Sequence, residues 1–271
     1  MGHFVRTDTF LDKILAHKVD EIAACQRIRP LSELREAIRY LDAPRDVLTT
    51  LSREAIALIA EVKKASPSKG VLIENFDAVA LAQTYADHGA SMISVLTDEQ
   101  FFQGALEYLT QVKRGVSVPV LRKDFIIDPY QVYEARTAGA DAMLLIVGAL
   151  DNVQLRDLYA LAVELGMTPL VEVHTAEEME RALAQNVALV GVNNRDLKTF
   201  EVELATTERL TKMVPASVVL VAESGIHSTA DVKRMAQAGA HAILVGESLV
   251  KAGDDLPTTV RAFSSVQRHS R

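Results

Sequence analysis

Residues 138–148 read AGADAMLLIVG, a Gly-Ala pair leading into a short apolar run, and two other stretches repeat the arrangement: HGASMISVL at 88–96 and AGAHAILVG at 238–246. The glycines at 89, 139 and 239 are spaced by 50 and then by 100 residues, so the echo returns at multiples of one period, as in an internally repeated architecture. Runs this short and this rich in aliphatic residues read as strands of a parallel sheet wrapped by helices. Five more fit the description: IALIAEVK from Ile56, VPVLRKDF from Val118, TPLVEVH from Thr168, ALVGVNNR from Ala188 and VVLVAESG from Val218. Helical stretches alternate with the runs, and eight strand-helix units close a (β/α)8 TIM barrel. The rival, a doubly wound open sheet, calls for a Gly-x-Gly-x-x-Gly turn after the first strand, and that turn is missing.

Upstream of the first run, Leu11, Ile14, Leu15, Val19 and Ile22 share one helical face, with Asp8 or Thr9 placed to cap it; Ser32 opens a shorter helix carrying Leu34 and Ile38. The expected organisation is a single domain over 1–271, with a helical N-terminal extension over 1–50 and the barrel over 51–271. A chain of 271 residues cannot hold two barrels of about 250 residues each.

A chain that is 49% hydrophobic and 24% charged has the mix of a soluble globular protein. Its net charge of −7, with no Lys/Arg run, argues against nucleic acid as a partner. Cys25 is the only cysteine, which excludes an intrachain disulfide or a thiolate cluster and fits a reducing compartment. The start of the chain mixes acids among its apolar residues, unlike a signal peptide, and no stretch approaches a membrane span of about 20 apolar residues. A cytoplasmic protein with no membrane partner is expected.

In a parallel barrel the strands' carboxyl ends form the active site, and several of these runs end in unusual chemistry. Glu61 and Lys63 close the first, Lys123 and Asp124 the third, Glu172 the fifth, Asn193 and Arg195 the sixth, Glu223 and Ser224 the seventh. Side chains two apart on a strand share a face, so Glu61 with Lys63, and Asn193 with Arg195, should project together. Any one of these could be a structural ion pair. As a set they are costly: each charge drawn into a barrel throat costs several kcal/mol unless well paired, against a domain stability of about 5–15 kcal/mol. Two lysines and two or three carboxylates around one opening therefore point to function.

The loop KKASPSKG, 63–70, is too rich in Ser, Pro and Gly to start a helix and reads as a shaped cover, with Lys64 and Lys69 as solvated charges. Ser224-Gly225-Ile226 and Val245-Gly246-Glu247-Ser248 follow the last two strands, where backbone N–H groups of such barrels hold phosphate. The Glu247 carboxylate would repel that phosphate, so it is expected to point away and offer only its N–H. His174, two residues after Glu172, reads as a supporting or structural residue rather than a metal ligand. Phe101, Phe102 and Phe125 could line an aromatic pocket or simply pack in the core.

Taken together, IAEVKKASPSKG from Ile59, PVLRKDFIIDPYQ from Pro119, LVEVH from Leu170, GVNNRDLKTF from Gly191, VAESGI from Val221 and VGESLV from Val245 resemble the indole-3-glycerol-phosphate synthase family of tryptophan biosynthesis, in order and spacing, over nearly the whole chain. The resemblance implies a carboxy-lyase acting on 1-(2-carboxyphenylamino)-1-deoxyribulose 5-phosphate. It implies Lys123 as general acid, Glu172 as the second acid/base group and Lys63 as the cation meeting the substrate carboxylate, with Glu61 and Asn193 orienting them and binding hydroxyls. Ser66, Gly225, Gly246 and Glu247 would ring the phosphate, while Arg195, Glu223 and Ser224 complete the polar wall; Phe125, from the aromatic candidates above, is taken as a further substrate-binding residue.

Elementary chemistry agrees with this casting. Ring closure builds negative charge on a ketone oxygen, which a protonated lysine stabilises and protonates; loss of the hydroxyl needs a proton donor and loss of a ring proton a base. No step transfers electrons, so no cofactor and no metal is expected, and the one partner expected is a small phosphorylated substrate, bound by a monomer or weak dimer. A phosphoribosylanthranilate isomerase-like barrel is a competing reading, although Cys25 lies far from any strand end, and a catalytically silent phosphosugar-binding protein is another.

Overall fold

The Gly-Ala echo is a helix stop. In the structure, a computed structural model that describes residues 4–67 and 69–268, Gly89, Gly139 and Gly239 have φ of +110°, +94° and +93°, a region that L side chains rarely adopt. Each stands just past a helix, and the alanine after it returns its N–H to the carbonyl five residues back: Ala90 to Tyr85, Ala140 to Ala135 and Ala240 to Met235, all at 3.0 Å. This satisfies a carbonyl orphaned at the helix end and turns the chain into the next strand.

The first strand is β1 (Ala57–Val62), and the cover loop after it forms a small antiparallel hairpin of β2 (Ala65–Ser66) and β3 (Gly70–Val71). The other strands are β4 (Met92–Leu96), β5 (Val120–Lys123), β6 (Ala142–Ile146), β7 (Thr168–Val173), β8 (Leu189–Asn193), β9 (Val219–Glu223) and β10 (Ala242–Val245). Without the hairpin, the eight strands close a parallel barrel in the order β1-β10-β9-β8-β7-β6-β5-β4. All eight predicted runs are found in it.

Three helices precede β1: α1 (Phe10–Ile28), α2 (Leu31–Ile38) and α3 (Val47–Leu51). Around the barrel follow α4 (Ala78–Asp87), α5 (Glu99–Phe102), α6 (Leu106–Gly115), α7 (Pro129–Thr137), α8 (Asn152–Glu164), α9 (Ala176–Leu183), α10 (Ala205–Leu210), α11 (Thr229–Gln237), α12 (Glu247–Val250) and α13 (Leu256–Ser264). Short polar side chains start many of them: Asp77, Asp128, Asp151, Thr175 and Ser228 each accept backbone N–H groups of the first turn of α4, α7, α8, α9 and α11.

The extension differs from its sequence reading in two places. Thr9 caps α1, as one of the two candidates, but α2 starts at Leu31 behind Pro30 rather than at Ser32; the proline carbonyl already accepts the first amides, so Ser32 lies inside the first turn. The third helix, α3, leaves no mark in the sequence pattern. It has five residues, too few for a periodic signal, and is held by its Asp46 cap.

α1 is fastened to the barrel rim by a buried charge. Lys18 has a fully buried side chain, with its Nζ 3.0 Å from Asp98, 3.0 Å from Asp124 and 2.8 Å from Glu21. Burial alone would lower its pKa, but Asp124 and Asp98 outweigh that and hold it charged. Asp98 also caps α5 through the Phe101 and Phe102 amides, and Asp124 bonds Thr97 and Arg122. Asp124, next to Lys123 in the chain, thus serves the clamp rather than the cavity's chemistry.

Lys18→Met should lower stability by about 3–5 kcal/mol, because Asp98 and Asp124 would stay buried with less countercharge. Urea unfolding of the two proteins measures this, and equal midpoints would show that the clamp is dispensable.

Candidate active site

The end of β5 sets the centre. Lys123 Nζ donates to Glu172 Oε2 at 2.8 Å, from β7, and to Glu223 Oε2 at 3.0 Å, from β9. On β8, Asn193 donates through Nδ2 to the other Glu172 oxygen at 3.1 Å, and its own oxygen accepts the Arg195 amide at 3.0 Å. Just past the end of β1, Lys63 Nζ lies 2.6 Å from Glu61 Oε1. The predicted pairing of Glu61 with Lys63 holds, and Asn193 and Arg195 face the same cavity. In all, Glu61, Lys63, Lys123, Glu172 and Asn193 line it, with Ser66, Phe125, Arg195, Glu223, Ser224, Gly225, Gly246 and Glu247.

Burial would strip Lys123 of its proton were it alone; Glu172, Glu223 and Glu61 reverse that and push its pKa up, so the ammonium persists at any physiological pH. The two carboxyls that share it part company. Burial raises both, but Lys123 and then His174 hold Glu172 well below the usual carboxylate range. Glu223 lacks the second cation: burial and the neighbouring Glu172 carboxylate push it up to about 7 with only Lys123 opposing, and its Oε1 is buried without a hydrogen-bond partner.

Two glycines provide seats for carboxylates. A side chain at Gly191 would collide with Glu223 Oε1, and a Cβ at Gly246 would lie 2.5 Å from Glu61 Oε1. Gly246 has φ of −125°, so room and not backbone freedom requires glycine there. At the turn after β9, Ser224 and Gly225 have φ of +65° and +77°; Ser224 is a non-glycine residue in the left-handed region, and a Cβ at Gly225 would strike Val202. Glu247 turns its carboxylate along its own helix to Lys251, 2.6 Å away, as its expected orientation required.

The apolar lining comes from places that charge reading could not reveal. Leu96, Leu144, Ile146 and Leu244 form the floor, and Phe10, Leu11 and Ile14 of α1 form one wall. Phe102 and Phe125 face the cavity with ring centroids 5.9 Å apart, whereas Phe101 packs edge-on against Phe10 at 5.8 Å, outside the lining. The Phe10/Ile14 spacing, one helical turn, was the available signal for the α1 wall.

A family model described as indole-3-glycerol phosphate synthase matches residues 11–263. The chain belongs to this family. It is 53% identical over 248 residues to the indole-3-glycerol phosphate synthase of Polaromonas sp. (strain JS666), covering 90% of this chain and 94% of that protein. It is likewise 53% identical over 257 residues to that of Roseiflexus castenholzii, covering 91% and 95%. Among solved structures, KGPDC from Streptococcus mutans shares the fold, with a TM-score of 0.59 at 13% identity over 77% of this chain and 95% of that one. For an indole-3-glycerol phosphate synthase the cavity has a matching chemistry: lysines, glycine turns and apolar side chains line it together.

Two outcomes are expected. Gly246→Ala must displace Glu61 and so disturb Lys63; kcat/KM should fall about 10–100-fold with the fold intact, as misplacement near 1 Å can do, and an unaltered kcat/KM would mean Glu61 relocates harmlessly. Glu223 binds its proton more tightly folded than unfolded, so its stabilising contribution is whole below the ordinary carboxyl value and lost as pH rises through about 7. Glu223→Gln should therefore gain stability relative to wild type between pH 5 and pH 8, and parallel pH curves of urea midpoint would contradict this.

Proposed function

We infer that the chain closes, decarboxylates and dehydrates 1-(2-carboxyphenylamino)-1-deoxyribulose 5-phosphate to indole-3-glycerol phosphate, as a carbon-carbon lyase of tryptophan biosynthesis. The observation that carries the reading is the Lys123 ammonium, fixed by two carboxylates from different strands above an apolar floor.

Attack of the carboxyl-bearing aryl carbon on the ketone forms the new bond and places negative charge on the ketone oxygen. Lys123 stabilises that charge and delivers the proton. Carbon dioxide then leaves, returning the pair of the broken C–C bond to the ring. The hydroxyl departs from the former ketone carbon as water with a second proton, and a base removes a proton from the adjacent former methylene, now part of the new five-membered ring. The opposite tendencies of Glu172 and Glu223 support a division of these last two tasks, with an anion at the first and a proton held at the second.

Lys63 suits the substrate carboxylate, while Ser66, Ser224, Gly225, Gly246 and the Glu247 amide suit the phosphate. Anchoring both anionic ends supplies the binding energy that bends the substrate. Phe125, with Phe102, offers a face to the aromatic ring. The reading extends to a cytoplasmic protein acting as a monomer or weak dimer on this one small phosphorylated partner; no helix among the described residues is long and apolar enough to cross a membrane.

The test is to mix protein and substrate and follow indole absorbance. Lys123→Ala should lower turnover by about 100-fold or more, the size of a general-acid contribution, and a rate near wild type would remove Lys123 from that role.

A further inference from the structure

Glu172 touches three groups, and the functional reading employs only two. Its Oε2 takes the proton donor Lys123 and its Oε1 takes Asn193. On the side away from Lys123, His174 Nε2 stands 3.4 Å from the same Oε1. His174 lies two residues further along the chain from Glu172 at the end of β7, with a side chain only 9% exposed, behind the cavity lining rather than in it.

The ring is not free to turn. Its Nδ1 lies 3.1 Å from Glu178 Oε2, and that oxygen also accepts the His174 backbone amide at 2.7 Å. Glu178 belongs to the first turn of α9, whose Thr175 cap bonds the Glu178 amide. Backbone, helix cap and carboxylate therefore fix the ring plane and aim Nε2 at Glu172. That Nε2 is buried and has no well-aligned acceptor, an uncommon state for a polar atom that calls for a reason. The atom faces a carboxylate already engaged by Lys123 and Asn193, the groups that substrate will draw upon.

Resting on the synthase reading, we propose that His174 is a positioning residue: clamped by Glu178, its ring takes up Glu172 Oε1 as substrate claims Lys123 and Asn193, and keeps Glu172 an anion that acts as base. The charges facing the ring are Glu172 from β7, Glu178 from α9 and, from the loop after β8, the exposed Asp196; Glu172 itself faces Lys123 from β5 and Glu223 from β9. Burial opposes a charged ring, but Glu172 and Glu178 outweigh it and push its pKa up to about 10. The ring is then a cation across the working range, and Lys123, Glu172, His174 and Glu178 form a row of alternating charge.

The experiment measures kcat and KM against pH for wild type, His174→Gln and Glu178→Gln, with circular dichroism to confirm folding. Without the cation, Glu172 takes a proton more readily, so the acid limb of the kcat profile should move to higher pH by about one unit in His174→Gln. Below that limb kcat should fall roughly 10-fold while KM changes by less than about twofold. Glutamine can still donate a hydrogen bond, so a shift there separates charge from mere packing. Glu178→Gln, which keeps an oxygen acceptor for the ring but removes the charge that helps hold it a cation, should move the limb the same way by less; it decides the matter should His174→Gln not fold. An acid limb that stays put in the folded variants, or a raised KM at constant kcat, would overturn the proposal while leaving the synthase reading intact. Wild-type protein that forms no indole-3-glycerol phosphate would sink both.

Discussion

A single ammonium in a dry throat organises this molecule. Lys123 is 14% exposed, and an amine so placed would shed its proton unless anions were brought to it. Glu172 and Glu223 come from strands two and four places away along the barrel wall, so the carboxylates can reach the amine only if the barrel closes. The demand runs the other way as well. Two carboxylates this deep would be intolerable without the lysine, and they share it unequally, one held as an anion and the other near its proton. Chemistry and architecture thus make the same requirement of the same three residues.

Room for these groups is made by leaving side chains out. Gly191, midway along β8, yields space to Glu223 of the neighbouring β9, and Gly246, just past β10, to Glu61 of the neighbouring β1. A barrel interior packed with aliphatic residues has little tolerance for an extra polar group, so each inward acid is matched by a neighbour reduced to hydrogen. Such glycines differ from Gly89, Gly139 and Gly239, which are required by backbone conformation at helix ends. One residue type answers two separate physical problems.

The N-terminal extension belongs to the active cavity through packing as well as charge. Lys18 ties α1 to Asp98 and Asp124 at the ends of β4 and β5, and the same helix lays Phe10, Leu11 and Ile14 along the cavity. Removal of a buried cation four residues beyond Ile14 would loosen a wall that carries no reacting group. Stability of the extension and shape of the pocket are in this way one property.

The sequence by itself determined the architecture: eight buried aliphatic runs and a recurring Gly-Ala stop specify strands, helices and their closure, because burial on both faces and a left-handed residue at a helix end are local demands. It also determined which polar residues would gather, since a strand end is a fixed place in a barrel and charge there has no structural economy. Short-range signals failed where the deciding contact was distant. The Lys18 clamp looks like an ordinary helical lysine until Asp98 and Asp124 arrive from elsewhere in the chain, and His174 looks bland until Lys123 of β5 and Asn193 of β8 engage the Glu172 carboxylate that it faces. The inequality of Glu172 and Glu223, the seats at Gly191 and Gly246, and the α1 wall were likewise decided by tertiary structure, because a pKa or a collision depends on which atoms stand within a few ångströms, and that distance is set only when the barrel shuts.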